Sequence, residues 1–244
     1  MKNNDLDRIK GKFALINSKA YWGDDYDVRY FLISKFQGIK NKKILDLGGG
    51  IGIISSEFDK SNYCINLDIS FEDLKRCKNF LNNSIEVINN SMTNISLKDN
   101  SFDYVICANL LEVAKTLDLD KKNSKTNEFP TVDKVLKEIK RILKPNGKLL
   151  LTTPNNEYYK STKLSYDELT EHLKQYFTDF SLKLYNTYPK LHSKNRKLNM
   201  ANIFPKIMGK LSNRKKVIQK VLPKDDTGKN EYSVSFFVEA KKSE

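Results

Sequence analysis

The sequence predicts an α/β fold: a Rossmann-like, doubly wound, mainly parallel sheet with helices on both faces. Three observations predict it. Short apolar runs alternate with segments of helical periodicity along most of the chain. The early runs lack inside–outside alternation, as in strands buried on both faces. A glycine-rich turn follows the first run, and an acid closes the second.

The elements follow in order. Residues 1–40 read as a helical, aromatic cap with Phe13, Tyr21, Trp22, Tyr26, Tyr30, Phe31 and Phe36. Lys42 to Leu47 reads as the first strand and ends in Gly48-Gly49-Gly50. Ile51 to Phe58 suits a helix. Tyr63 to Asp68 is a second strand. Ser70 can cap a helix over Phe71 to Leu81, with Glu72 and Asp73 favourable in its first turn. Ile85 to Ile88 and Phe102 to Ala108 are strands three and four, the latter preceded by the turn cluster Asp99-Asn100-Ser101.

Thr131 or Thr126 opens the next helix, whose stripe is Val132, Val135, Leu136, Ile139, Ile142 and Leu143. Lys144-Pro145-Asn146-Gly147 stops it. Lys148 to Thr153 is strand five, Tyr166 to Tyr176 a helix and Ser181 to Tyr185 strand six. Tyr232 to Val238 alternates in polarity and reads as the last strand. Two segments interrupt the pattern: polar Lys115 to Phe129 and basic Thr187 to Asn230. We therefore expect one domain over 1–244, made of the cap (1–40), a core (41–186), a basic insertion (187–230) and a last strand (231–241).

Composition narrows the function classes. No stretch approaches the roughly 20 apolar residues that cross a bilayer, and Met1 to Asp5 hold no apolar signal-peptide core. Cys64, Cys77 and Cys107 are odd in number and have no metal or redox spacing. Free thiols of a cytoplasmic protein are expected, with no metal. The formal charge is +13. Pro189 to Glu244 carry 14 Lys/Arg against 5 Asp/Glu, a net +9. Such a region can meet nucleic acid or an anionic membrane surface, or reflect a Lys-rich composition alone. Oligomeric state is not legible.

The strongest local signal is Asp46-Leu47-Gly48-Gly49-Gly50-Ile51-Gly52. Glycines let the backbone turn sharply and approach a ligand closely. A helix starting near Ile51 would aim free N–H groups at the same spot. Asp68 ends the next strand, about 20 residues on, where an acid meets ribose hydroxyls. The pair predicts an adenosine-containing ligand. A dinucleotide fingerprint needs glycine at its sixth place, which here is Ile53. Asp46 would sit poorly beside pyrophosphate and suits a cationic amino acid end better. No P-loop Lys follows.

These residues resemble the first motif of class I S-adenosylmethionine-dependent methyltransferases. Cys64 to Ser70 looks like that family's second-strand motif, Asn100 to Cys107 like its fourth-strand motif, and Arg141 to Leu149 like the stretch entering strand five. The resemblance covers roughly residues 40–185. It implies strand order 3-2-1-4-5-7-6 with an antiparallel seventh strand, and S-adenosylmethionine as cofactor. It also implies roles: Asp46, Leu47, Gly48, Gly50 and Gly52 at the methionine part, Asp68 and Ile69 at the ribose, Ser91 and Met92 at the adenine. Ala108, Asn109 and Leu110 would flank the cofactor. Many members have an acid where this chain has Ser91.

Methyl transfer needs acceptor and methyl held in attack geometry, and a base only if the acceptor loses a proton. Many relatives have a histidine after strand four; Leu110 to Ala114 has none. Glu112 lies near the cleft by motif register, and His192 lies in the basic insertion. These are the catalytic candidates, and His172 reads as a surface histidine. No Asn-Pro-Pro-Tyr run occurs, which argues against methylation of DNA amino groups. Tyr21 to Tyr26 suit either a cover for cofactor or acceptor or core packing. The 115–129 segment suits a lid or an open loop.

Four functions compete. The first is methylation of oxygen or carbon on a small-molecule, lipid or sugar acceptor. The second is RNA methylation using the basic region, with Lys215 and Lys216 in the footprint. The third is a non-catalytic S-adenosylmethionine-binding domain. The fourth, a nicotinamide dehydrogenase, is disfavoured by Ile53.

Overall fold

The computed structural model describes residues 32–81, 85–120, 129–155, 163–187 and 233–244. Tyr21 to Tyr26, most of the N-terminal cap, the basic insertion with His192, Lys215 and Lys216, and residues 121–128 lie outside this set.

Seven strands form the sheet: β1 Lys43–Leu47, β2 Tyr63–Asp68, β3 Glu86–Asn89, β4 Phe102–Ala108, β5 Leu143–Pro154, β6 Asp179–Thr187 and β7 Ser233–Lys241. Their order is β3-β2-β1-β4-β5-β7-β6. Neighbours from β3 to β5 pair in parallel, and β7 runs antiparallel to both β5 and β6. The order and the antiparallel sense of β7 are those the family resemblance implies. Four helices are described in full: α1 Phe71–Phe80, α2 Leu111–Asp120, α3 Pro130–Ile142 and α4 Tyr166–Tyr176. Residues 32–36 are also helical.

Alternation along each buried strand divides the core in two. Leu45, Leu47, Ile65, Leu67, Val105, Cys107, Leu149 and Leu151 meet residues of α2, α3 and α4 on one face. Ile44, Cys64, Ile106, Leu150 and Phe237 meet Leu32, Ile33, Phe36, Ile53 and Ile54 on the other. Each fully buried aliphatic or Phe side chain contributes about 1.5–3 kcal/mol.

The α3 stripe is as the spacing predicts, with Val132, Val135, Leu136, Ile139 and Ile142 buried. Its start differs. Pro130 occupies the first turn, where its missing N–H costs nothing. Thr131 is not the cap, because its N–H and hydroxyl both go to Asp118. In α4, Ser165 and Glu168 form a capping box.

Three expectations are corrected. Ile51 to Phe58 is not an α-helix but turns leading into a 3-10 segment, Ser55–Glu57. Gly52 sits at φ +78°, outside helical space, and the Ser55 N–H goes to Asp46 Oδ2 at 3.1 Å. Lys115 to Phe129 is not an open polar loop from its start, since it begins inside α2. Lys115 is buried, and its ammonium donates to both Glu168 oxygens (3.0 and 2.8 Å) and to the Lys163 carbonyl at 2.9 Å. A polar letter at a buried helical position misled the pattern. Strand five starts earlier than read. Leu143 pairs with Phe102, residues 144–147 bulge out with Asn146 at φ +63°, and pairing resumes at Lys148. No helix among the described residues is long and apolar enough to cross a membrane.

Candidate functional site

The parallel strands β1, β4 and β5 present their carboxyl ends on one edge of the sheet, where open α/β sheets bind ligands. β1 turns at once into the glycine loop. Gly48 donates its N–H to the Leu67 carbonyl at 2.8 Å, which ties the loop to β2. Gly48, Gly50 and Gly52 have φ of +72°, +51° and +78°, conformations that a side chain strains. Space is short at three positions. A Cβ on Gly48 would come within 2.8 Å of Leu110, one on Gly49 within 2.5 Å of Asn66 Oδ1, and one on Gly52 within 2.4 Å of Cys77 Sγ.

Gly50 differs. A Cβ there would meet a single neighbour, Asp68 Oδ2, at 3.9 Å. The loop is therefore open at Gly50, beside a carboxylate. Asp68 is half-buried at the end of β2. Its Oδ2 accepts the Gly50 N–H at 2.9 Å, and its Oδ1 accepts the Ser70 N–H at 2.8 Å. An ionised carboxylate has about four acceptor sites, so capacity remains for hydroxyl donors. Ile69 is 75 % exposed, next to a similarly exposed Phe71. The Asn89 side-chain amide donates to the carbonyls of Asp68 and Ile69 at 3.1 and 2.8 Å, binding the end of β3 to this corner.

Asp46 lies beneath the loop, 1 % exposed. Besides the Ser55 N–H, its Oδ2 accepts the Ser55 hydroxyl at 2.6 Å. Its visible work is to hold the turn after the glycines. Leu47 is fully buried in the first core cluster, which leaves its backbone at the loop. Ser91 exchanges a hydrogen bond with the Thr93 hydroxyl at 3.0 Å, and Met92 packs on the core from just beyond β3.

Across the sheet edge, Asn109 holds φ +52° and donates its N–H to the Thr152 carbonyl at 2.8 Å. Glu112 sits in the first turn of α2, and its Oε2 accepts the Thr153 hydroxyl at 3.4 Å. Leu110 touches the Gly48 position, so the loops after β1 and β4 meet. The loop residues, Asp68, Asn109 and Glu112 thus share the carboxyl edge, with Ser91 and Met92 beyond β3. His172 lies elsewhere and is not a surface residue. It is buried between α3 and α4, with its Nδ1 bonded to Asp133 Oδ1 at 2.7 Å.

Two features escaped the sequence reading. Gly49 has ordinary φ and still admits no side chain, a fact visible only once Asn66 and Asp46 are packed against it. Asn66 is fully buried, and its Nδ2 donates to the Gly50 carbonyl at 2.9 Å and to Cys77 Sγ at 3.2 Å. A polar residue inside the apolar run Cys64-Ile65-Asn66-Leu67 was the available signal. Burial, with Asp46 nearby, pushes the Cys64 thiol up to about 12. Burial also takes Cys77 to about 11, against the Asn66 hydrogen bond, which works to lower it. Both thiols stay protonated at neutral pH and act as packing groups.

Comparison with known proteins fits this geometry. Residues 45–151 match the family model of the methyltransferase domain. An uncharacterized protein of Methanocaldococcus jannaschii is 34 % identical over 126 residues, covering 52 % of this chain and 47 % of the relative. The chain thus spans about half the length of that curated relative. An S-adenosylmethionine-dependent methyltransferase of Archaeoglobus fulgidus superposes with a TM-score of 0.56 at 16 % identity, over 91 % of this chain and 96 % of that one. The N-methyltransferase NodS of Bradyrhizobium japonicum gives 0.56 at 9 % identity, over 92 % and 99 %. At such identities the structures testify to the fold.

Proposed function

We infer that the chain, whose residues 45–151 match the model of the methyltransferase domain, is a class I, S-adenosylmethionine-dependent methyltransferase that methylates oxygen or carbon of a small-molecule, lipid or sugar acceptor. S-adenosylmethionine is the cofactor. The observation that carries the reading is the opening at Gly50 beside the Asp68 carboxylate. A nucleoside with an amino acid tail needs such a place: bare backbone for the tail to cross and, beside it, an acceptor with lone pairs to spare for the ribose.

In this reading the loop from Gly48 to Gly52 lies under the methionine part, with Asp46 and the Leu47 backbone shaping it from below. Asp68 accepts the ribose hydroxyls, and exposed Ile69 covers an apolar edge of the nucleoside. Ser91 and Met92 border the adenine, and Asn109 borders the transferring end. The cofactor supplies a methyl carbon already activated by its sulfonium. The chain's remaining duty is to hold the acceptor in line and exclude water.

Glu112 is the described side chain suited to an acceptor that must lose a proton. Its carboxylate stands at the carboxyl edge beside Thr153. For a hydroxyl acceptor, Glu112 would accept the O–H hydrogen bond and take up that proton. For an acceptor that needs no deprotonation, Glu112 orients it by hydrogen bonding.

A second reading has one observation behind it. Thr187 and Ser233 pair at the end of the β6–β7 ladder, and Ser235 pairs with Pro154 at the carboxyl end of β5. The 45 residues between them hold 12 Lys/Arg and 3 Asp/Glu. That charge leaves and rejoins the sheet at the ligand edge, which supports an RNA acceptor. Binding of RNA that weakens steeply with salt would favour it.

The test is transfer of labelled methyl from S-adenosylmethionine over a metabolite extract, with mass spectrometry of the labelled product. A single small product supports the first reading. Label in RNA supports the second. Cofactor binding with no transfer to either makes this a binding domain.

A further inference from the structure

We propose that Asn66 is the positioning residue that sets the glycine loop against the cofactor; this rests on the cofactor reading above. Asn66 and Asp68 stand two residues apart on β2, so their side chains leave the strand on one face. Between them they hold both polar groups of one residue. Asp68 Oδ2 accepts the Gly50 N–H at 2.9 Å, and Asn66 Nδ2 donates to the Gly50 carbonyl at 2.9 Å. Gly50 is the position where the loop opens to a ligand.

Asn66 cannot itself touch a ligand, because it is 0 % exposed. Its Oδ1 is buried and has no hydrogen-bond partner among the described residues. That oxygen faces Gly49, 2.5 Å from where a Cβ would stand, with Asp46 Cγ 2.6 Å from the same point. A buried polar atom left unmet costs stability that an apolar residue would not. A purely structural strand position would therefore favour Ile or Leu, as at Ile65 and Leu67. The amide is explained by its hold on the Gly50 carbonyl, which fixes how the Gly50 peptide is turned and so how the loop underlies the methionine part.

The test compares two ligands. S-adenosylhomocysteine carries the amino acid half; 5′-methylthioadenosine lacks it and keeps the nucleoside. Asn66→Leu keeps the branched shape, with somewhat greater bulk, and removes the donor. It is expected to weaken S-adenosylhomocysteine about tenfold, the ratio corresponding to one unmet buried hydrogen bond, and to leave 5′-methylthioadenosine within about twofold. Asn66→Asp supplies a second readout. Position 66 faces Asp46 on β1, Asp68 on β2 and Cys77 on α1, so a carboxyl there is held toward its protonated form. Protonated, it can donate to the Gly50 carbonyl; ionised, it cannot. Affinity of Asn66→Asp for S-adenosylhomocysteine should fall as pH rises from about 5 to about 9, with no such fall in the wild type.

Wild-type affinity in Asn66→Leu, equal loss of both ligands, or a pH profile of Asn66→Asp like that of the wild type would overturn the proposal. Should the Leu variant fail to fold, the Asp variant at low pH decides. A wild-type chain that binds neither ligand removes the cofactor reading itself, an outcome distinct from all of these.

Discussion

On the face covered by α2, α3 and α4, the buried polar groups Lys115, Asp118, Thr131 and His172 come from helices and Thr153 from the carboxyl end of β5, while the strands otherwise supply Leu45, Leu47, Ile65, Leu67 and Val105. On the opposite face the buried polar groups Asp46 and Asn66 rise from the middle of β1 and β2. Both sets are hydrogen-bonded, but to different ends. Lys115 and Asp118 tie helix to helix. Asp46 and Asn66 tie the sheet to the loop at its carboxyl edge. The helix-to-helix ties of the first face hold the fold, and the strand-to-loop ties of the second set the glycine loop. A polar group inside a parallel strand is costly, so its presence there marks where backbone must be held in one place.

The comparison can be broken by substitution on either face. The largest effect is expected from the apolar side. Leu136→Ala empties a fully buried position on α3 and should cost about 2–5 kcal/mol of unfolding free energy. Denaturant titration reads that loss, while ligand affinity of the folded protein stays unchanged.

Gly52→Ala tests the other face. Its Cβ must enter space held by Cys77 Sγ at φ +78°, a strain of about 1–3 kcal/mol. Both thermal stability and S-adenosylhomocysteine affinity should fall. Asp68→Ala should separate them. It weakens cofactor binding by about 1–3 kcal/mol through lost hydrogen bonds to a charged acceptor, and melting temperature falls less than in Gly52→Ala, since the partners it gives up in the fold are the part-buried Gly50 and Ser70 N–H groups. Calorimetry shows whether binding and folding part in this way.

Glu168 sharpens the contrast through pH. Burial works to raise its carboxyl, but the Lys115 ammonium and the Ser165 N–H outweigh it, and the carboxyl titrates below its ordinary 4.5. A carboxyl lowered on folding stabilises above its unfolded value, and that stability is lost as pH falls through the folded value. Melting temperature should therefore drop as the medium is acidified below about pH 4.5, and less steeply in Lys115→Met. Cofactor affinity at neutral pH should hold in that variant. The smallest effect is expected at Ser91, whose hydroxyl pairs with Thr93. Ser91→Ala should move affinity by under about 0.5 kcal/mol, as ordinary surface changes do.

What was legible in the sequence followed the same division. Apolar runs located the central strands, because burial on both faces leaves a continuous hydrophobic signal, and alternating polarity located the seventh. The α3 stripe and the Ser70 cap were readable for local reasons. Asp68 could be paired with the glycine loop because strand, turn and acid follow one another within about 25 residues. Less legible were features decided by distant partners. Lys115 looked like loop because its charge is met by Glu168, more than fifty residues on. The helix expected after Gly50 gave way because Asp46 takes the Ser55 N–H. Asn66 was passed over, since its partner is a backbone carbonyl that no residue type advertises. His172 read as exposed, and its burial depends on Asp133 from another helix.

A crystal structure of the chain with S-adenosylhomocysteine tests the central claim most directly. The ribose hydroxyls should bond to Asp68, with the amino acid half running over the opening at Gly50. A ligand bound elsewhere, or an Asp68 that keeps Gly50 and Ser70 and never meets the ribose, would contradict it.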